Sequence, residues 1–155
     1  MNLIYKRATI DDLEMLTETR ICVLRAANKL SDEVDMIEVR EQTYEYYKKA
    51  LSEEMHVAYL VFDEELFVGA GGVSFFGVMP TYHNATGKKA YIMNMYTKPE
   101  YRRRGIAYKT LDLLVDEAKK RGITAISLEA TDMGKPLYEK YGFVKMMDEM
   151  ELAEC

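Results

Sequence analysis

Apolar and polar positions change period several times along the chain, and each change predicts an element. Leu3-Ile4-Tyr5-Lys6-Arg7-Ala8 reads as a first strand. Thr9-Ile10-Asp11-Asp12 is a capping-box variant with Asp12 in place of the usual Glu or Gln. Leu13, Leu16, Ile21, Val23 and Leu24 then supply one side of a helix reaching about Asn28. Ser31-Asp32-Glu33 opens a second, more polar helix through about Glu53, carrying Val34, Ile37, Val39, Tyr44, Tyr47 and Leu51. Next, His56 to Phe62 and Leu66 to Phe76 read as a hairpin about the turn Asp63-Glu64-Glu65. Gly69, Gly71 and Gly72 in the returning strand signal a bulge or a close backbone approach. Pro80 to Lys89 is loop by composition, Ala90 to Met95 a strand, and Leu111, Leu113, Leu114, Val115 and Ala118 a helix ending near Gly122. Ile123 to Ala130 is a further strand, Gly134 to Tyr141 a short helix ending at Gly142, and Phe143 to about Leu152 a last strand. One mixed α/β domain over residues 1–155 accounts for the order.

Composition narrows the partners. At 155 residues, 48% hydrophobic and 30% charged, the chain buries a core without staples. A formal net charge of −5 argues against a general nucleic-acid binder. Two cysteines, Cys22 and Cys155, form neither a disulfide framework nor a metal spacing, which fits a reducing compartment. The segment from Met1 to Arg7 turns polar too early for a signal peptide, and no apolar run is long enough for a membrane span. A cytoplasmic protein with no membrane partner and no metal is the expectation.

The chemistry concentrates in Tyr96-Thr97-Lys98-Pro99-Glu100-Tyr101-Arg102-Arg103-Arg104-Gly105-Ile106-Ala107-Tyr108, which leads from a strand into a helix. A helix start offers unpaired amides and the positive end of the dipole, which suit a phosphate. Exposed arginines there oppose the dipole at a cost of about 0.3–1 kcal/mol each, a cost that an anion relieves. Neither G-x-x-x-x-G-K-[ST] nor G-x-G-x-x-G is present, which excludes the nucleotide P-loop and the dinucleotide fingerprint.

Arg102-x-x-Gly105-x-Ala107 resembles the R/Q-x-x-G-x-G/A signature of the GCN5-related N-acetyltransferases (GNAT). Asn94-Met95-Tyr96-Thr97-x-Pro99-Glu100-Tyr101 before it and Leu137-Tyr138-Glu139-Lys140-Tyr141-Gly142-Phe143 after it resemble further segments of that superfamily. The resemblance covers nearly the whole chain. It implies the acyl-CoA N-acyltransferase fold: a mixed, mostly antiparallel sheet flanked by helices, with splayed fourth and fifth strands. The implied co-substrate is acetyl-CoA, its pyrophosphate held by Arg102, Arg103, Arg104, Gly105, Ile106, Ala107 and Tyr108. Met95, Tyr96 and Thr97 would hold the pantetheine arm by their backbone, with the Met95 N–H as oxyanion donor. Tyr138 stands where many members place the acid that protonates the leaving thiolate.

The chain also departs from the family pattern. A glutamate that some members use as general base is here Tyr91, leaving Glu129, Asp132, His83 or a water chain, with Glu129 preferred as it ends a strand beside the splay. An asparagine that holds the arm in many relatives is here Thr131. The acceptor, a small-molecule or peptide amine, would enter between the first two helices and the Tyr82-His83-Asn84 loop, where Asp32, Glu33, Asp35 and Glu38 would attract a cation. No cysteine lies in the motif strand or beside Tyr138, which favours direct transfer over an acetyl-enzyme. The competing reading is a non-catalytic CoA-binding or interaction module, and a homodimer is an expectation from the resemblance alone.

Overall fold

The computed structural model describes residues 1–154; Cys155 lies outside the described residues. Five strands form one sheet in the order β1-β2-β3-β4-β5: β1 (Leu3–Arg7), β2 (His56–Asp63), β3 (Leu66–Gly77), β4 (Lys88–Thr97) and β5 (Ala125–Leu128). The first four are antiparallel to their neighbours, and β5 runs parallel to β4. Helices α1 (Leu13–Asn28) and α2 (Ile37–Ser52) lie on one face, and α3 (Ile106–Lys120) and α4 (Lys135–Tyr141) on the other. A mixed, mostly antiparallel sheet flanked by helices is the architecture that the resemblance implies.

Strand alternation assigns the faces. Val57, Tyr59, Val73, Phe75, Ala90 and Ile92 meet Leu111, Leu114, Val115 and Ala118 of α3. Ala58, Leu60 and Ala70 meet Leu16 and Tyr47 from α1 and α2. Val61, Val73, Leu111 and Leu114 are sealed from solvent, and each such side chain contributes about 1.5–3 kcal/mol. The glycine signal in β3 is a bulge: the register to β4 shifts between Ala70 and Gly72, opposite Asn94 at φ 60°. Gly71 also permits close packing. A Cβ there would lie 2.7 Å from both Met95 Sδ and Thr110 Cγ2.

The capping box at Thr9 forms, with Asp12 Oδ2 accepting the Thr9 amide at 2.8 Å, but it opens a 3-10 turn (Ile10–Asp12) that runs into α1. Helix α2 starts at Ile37 rather than Ser31. Lys29 ends α1 in the left-handed region at φ 54°, Arg25 bonds the Ser31 carbonyl, and Asp35 Oδ1 accepts the Ile37 amide at 2.9 Å. The connection therefore consumes the residues read as a helix start, and Asp35 is spent as its cap. Strand β5 is shorter than Ile123–Ala130 because its pairing with β4 stops at Leu128 opposite Ile92, just before the Asn94 bulge.

The last strand does not form. Val144, Met146, Met150 and Leu152 alternate as strand residues do, yet beyond Phe143 no backbone hydrogen bond is made among the described residues. Phe143 is held on Tyr138 and Tyr141 by ring packing, and nothing past it finds an edge to pair with. No described helix is long and apolar enough to cross a membrane.

Candidate functional site

The motif turn hangs between two anchors. The Lys98 amide donates to Val68 O at 2.7 Å, and Tyr101 Oη donates to Asp63 Oδ2 at 2.6 Å. That second bond holds the Asp63 carboxyl below its ordinary pKa and pushes the Tyr101 phenol up. A 3-10 turn (Pro99–Tyr101) follows the strand, and Arg103 (φ 63°) and Gly105 (φ 81°) reverse the chain into α3. The amides of Arg103 to Tyr108 have no backbone partner among the described residues. A Cβ on Gly105 would project into open space, so the opening of α3 is unobstructed. No acidic residue sits in the first turn of α3. The turn is thus a donor-rich cradle for an anion, formed by backbone amides at the positive end of a helix dipole.

The arginines divide. Arg102 Nε donates to Thr97 O at 3.3 Å. Arg104 folds back over the Tyr101 ring, 5.2 Å from its centroid, with Nη1 on Met1 Sδ. Arg103 is exposed.

Pairing of β4 with β5 ends at Ile92 and Leu128, so Met93 to Thr97 leave a cleft between the strands. Lys98 N–H points at β3, and polar groups of successive strand residues alternate. By that alternation Tyr96 faces β3, and its carbonyl lies 3.0 Å from the Cβ position of Gly69, while Met95 and Thr97 turn their backbone groups to the cleft. Thr97 Oγ1 is buried with no partner. The Met95 side chain packs into the α3-side core.

Tyr138 of α4, in the α3-side core cluster, is 8% exposed, packed edge-on against Phe143, and its hydroxyl makes no hydrogen bond among the described residues. Burial raises its pKa, so it stays protonated at neutral pH. Rings at Tyr108, Tyr141 and Phe143 connect the start of α3 to Tyr138. Tyr141 Oη donates to Asp112 Oδ1 at 2.7 Å, and burial together with that carboxylate pushes its pKa up to about 12. Thr131 is partly spent locally: its Oγ1 accepts the Gly134 amide at 3.2 Å and its carbonyl accepts from Lys135, starting α4. The Thr131 hydroxyl keeps its hydrogen and one lone pair for a ligand.

The base candidates separate by position. Tyr91 Oη donates to Glu129 Oε2 at 3.5 Å, which brings a carboxylate from the end of β5 beside β4. His83 is exposed in a loop against Tyr82. Asp132 is exposed before α4. Among the described residues, no group of three His, Cys, Asp or Glu side chains is placed to hold a metal. An open groove of about 680 Å³ lies between α1 and α2, lined by Glu14, Thr17, Glu18, Arg40, Glu41, Gln42, Tyr44 and Glu45. None of those residues belongs to β4, the motif turn or α3, so the groove is separate from the cradle.

The family model of the GNAT acetyltransferases matches residues 24–143, from the middle of α1 through Phe143. This chain belongs to the GNAT acetyltransferase family. A crystal structure of a predicted acetyltransferase with acetyl-CoA from Clostridium acetobutylicum is 33% identical, with 97% of this chain and 96% of that one covered at a TM-score of 0.88. A GCN5-related N-acetyltransferase from Ralstonia eutropha is 24% identical, with 98% and 99% covered at a TM-score of 0.83, a likeness of fold. An aminoglycoside acetyltransferase from an uncultured soil metagenomic sample shares the fold at 17% identity, full coverage and a TM-score of 0.74. No curated protein matches the sequence.

Sequence reading missed one constellation of this GNAT chain. On the sheet face under α1 and α2, Tyr46 Oη lies 2.9 Å from His56 Nδ1 and 2.6 Å from Ser74 Oγ, with His56 Nδ1 3.1 Å from the same oxygen. Tyr46 belongs to a helix, His56 and Ser74 to two strands, and no sequence spacing joins them. Register does, since His56 pairs with Ser74.

Proposed function

We propose that this GNAT chain moves the acetyl group of acetyl-CoA to a primary amine by direct attack while both substrates are bound. The observation that carries the reading is the row of partnerless amides from Arg103 to Tyr108 at an unobstructed helix start, next to a strand whose backbone is open on one side. Those amides, with the Arg102, Arg103 and Arg104 side chains around them, suit a pyrophosphate; Ala107 is small, and Ile106 puts its side chain into the core with Val61 and Val68, which leaves its amide for the ligand. Met95 and Thr97 line the arm with their backbone, Tyr96 between them spending its own on β3, and the buried, unpaired Thr97 Oγ1 marks a polar position awaiting a partner. The Thr131 hydroxyl has a hydrogen to give from the other side.

Bound acetyl-CoA would supply an activated acyl group on a thiol leaving group; the protein supplies placement, charge stabilisation and protons. Met95 donates its N–H to the thioester oxygen, a contribution worth about 2.7–4 kcal/mol where such donors have been removed. Glu129, beside Tyr91, takes the proton from the amine. Tyr138, neutral because it is buried, donates its phenol proton to the departing thiolate. No acetyl-enzyme is needed.

Thiol release from acetyl-CoA, followed with polyamines, amino acids, aminoglycosides and peptide N-termini, tests the reading. The expected result is thiol release matched by N-acetylated product for at least one amine. Binding of acetyl-CoA with no thiol released from any of them would make the chain a non-catalytic CoA module.

A further inference from the structure

Register carries a polar row across the sheet. His56 of β2 pairs with Ser74 of β3, Ser74 with Tyr91 of β4, and Tyr91 with Ser127 of β5. All four share the face that α1 and α2 cover over β2 and β3, where Ala58, Leu60 and Ala70 form an apolar floor. At the His56 end of β2 and the Ser74 end of β3 that floor gives way to an imidazole and a hydroxyl, and the row continues with the hydroxyls of Tyr91 and Ser127 on β4 and β5. A polar line in a sheet interior needs partners or a ligand.

The partners present leave the row short of donors. Tyr46, His56 and Ser74 form a closed triangle, and Ser74 Oγ also reaches Met93 Sδ at 3.8 Å. Two hydroxyl hydrogens and at most one imidazole hydrogen serve it. Whichever ring nitrogen carries the proton, the Tyr46 and Ser74 oxygens keep lone pairs that no donor meets. The triangle has a wet end and a dry end: Tyr46 is 43% exposed and His56 4%. His56 Nε2 is buried without a partner, over Gly72. Burial, with the Arg20 guanidinium nearby, lowers the His56 pKa to about 4, so the dry end carries no positive charge at neutral pH. A donor-hungry, half-wet cluster whose own three side chains are neutral, with the Arg20 guanidinium engaged on Asn94 Oδ1, suits a group with several N–H bonds.

Its place along β4 fits. Met93, touched by Ser74, is two residues before Met95, about 7 Å along a strand. Next in the row is Tyr91, with Glu129 on its hydroxyl.

We propose that Tyr46 Oη and Ser74 Oγ receive the ammonium group of the acceptor, with His56 as the positioning residue that holds both oxygens. The substrate class is then a cationic primary amine delivered along the α2 side of β4, and the proposal rests on the transferase reading above. Tyr46 and Ser74 set acceptor affinity; His56 acts through them.

The test uses Tyr46→Phe and Ser74→Ala in the full chain, with spermidine, lysine and kanamycin as probes and acetyl-CoA as donor. Each removes one oxygen, and Tyr46 is exposed enough for the fold to keep. The KM of the accepted amine should rise roughly 10- to 100-fold, the size of a lost hydrogen bond to a charged group, with acetyl-CoA affinity by calorimetry unchanged. The same amine titrated into the CoA-bound protein should bind correspondingly weaker. His56→Asn should raise KM in the parent, add less in the Tyr46→Phe background and nothing once Tyr46→Phe and Ser74→Ala are combined, the mark of a residue acting through those two oxygens. Turnover with KM and amine binding unmoved in Tyr46→Phe and Ser74→Ala overturns the inference and leaves the transferase reading standing. Acetyl-CoA binding without turnover of any of these three cationic probes overturns the inference, and without turnover of any amine in the wider panel, peptide N-termini included, overturns the transferase reading as well.

Discussion

Arg20 Nη1 donates to Asn94 Oδ1 at 3.0 Å, across 74 positions of sequence, and so ties α1 to the bulge residue immediately before Met95. Asn94 has φ 60°, and its bulge reverses which way β4 presents its backbone beyond Ile92. The cleft between β4 and β5 is therefore set by one helix-to-strand hydrogen bond as well as by the sheet.

Asn94→Ala should lose that bond and put alanine, which lacks the polar side chain that lets Asn tolerate the left-handed region, at φ 60°, together about 2 kcal/mol. For a chain of this size that is a fall of about 4–8 °C in Tm, read by calorimetry. Asn94→Gly should recover most of the stability, because glycine accepts φ 60°, while kcat stays low. Full activity in Asn94→Gly would mean the Arg20 tether does not position Met95.

Gly71→Ala tests the packing of β3 on α3. The new methyl would sit 2.7 Å from Met95 Sδ and Thr110 Cγ2 and 2.9 Å from Leu114 Cδ1. Thr110 is branched and fixed, its Oγ1 bonded to Ile106 O at 2.8 Å, so the strain cannot be relieved by one flexible side chain. Overpacking of about 1–3 kcal/mol is expected, measured as a shift in urea midpoint at constant slope.

Much of this arrangement is legible in the sequence, and the boundary of what is legible has physical causes. Strand and helix periods gave β1 to β4, α1, α3 and α4, and the Gly69-Ala70-Gly71-Gly72 run announced the bulge. The cradle could be read because a phosphate-binding turn is local: Arg102 to Tyr108 are contiguous. Two errors come from what surrounds a segment rather than from its residues. Ser31-Asp32-Glu33 has helix-start chemistry, but Lys29 turning left-handed and Asp35 capping Ile37 decide the boundary. Val144 to Leu152 has strand alternation but lacks a neighbour. Tyr46, His56 and Ser74 are not legible in the sequence because cross-strand register brings His56 to Ser74 and the packing of α2 on the sheet brings Tyr46 to both.

Gly105→Val should weaken acetyl-CoA binding at least tenfold, as a branched side chain at φ 81° is strained and fills the open approach to the α3 amides. Isothermal calorimetry with acetyl-CoA reads the effect. Unchanged affinity would move the pyrophosphate elsewhere.

His56 gives a pH signature in stability. Its pKa is about 4 folded, from burial first and Arg20 second, against about 6.5 in an unfolded chain. The group is held neutral in the fold, so its contribution is fully present above the unfolded value and drains away as pH falls from about 6.5 to about 4. Tm should drop across that window in the parent protein and drop less in His56→Asn. Parallel Tm–pH curves for the two would show that His56 is not held neutral.

Thiol release by Tyr138→Phe, measured with an amine the parent protein acetylates, tests the central claim most directly. The Tyr138 phenol is buried, protonated and without a protein partner among the described residues. The account predicts that kcat falls about 10²–10⁴-fold while acetyl-CoA affinity and Tm hold. An unchanged kcat would contradict it, and would take the leaving-group proton away from Tyr138.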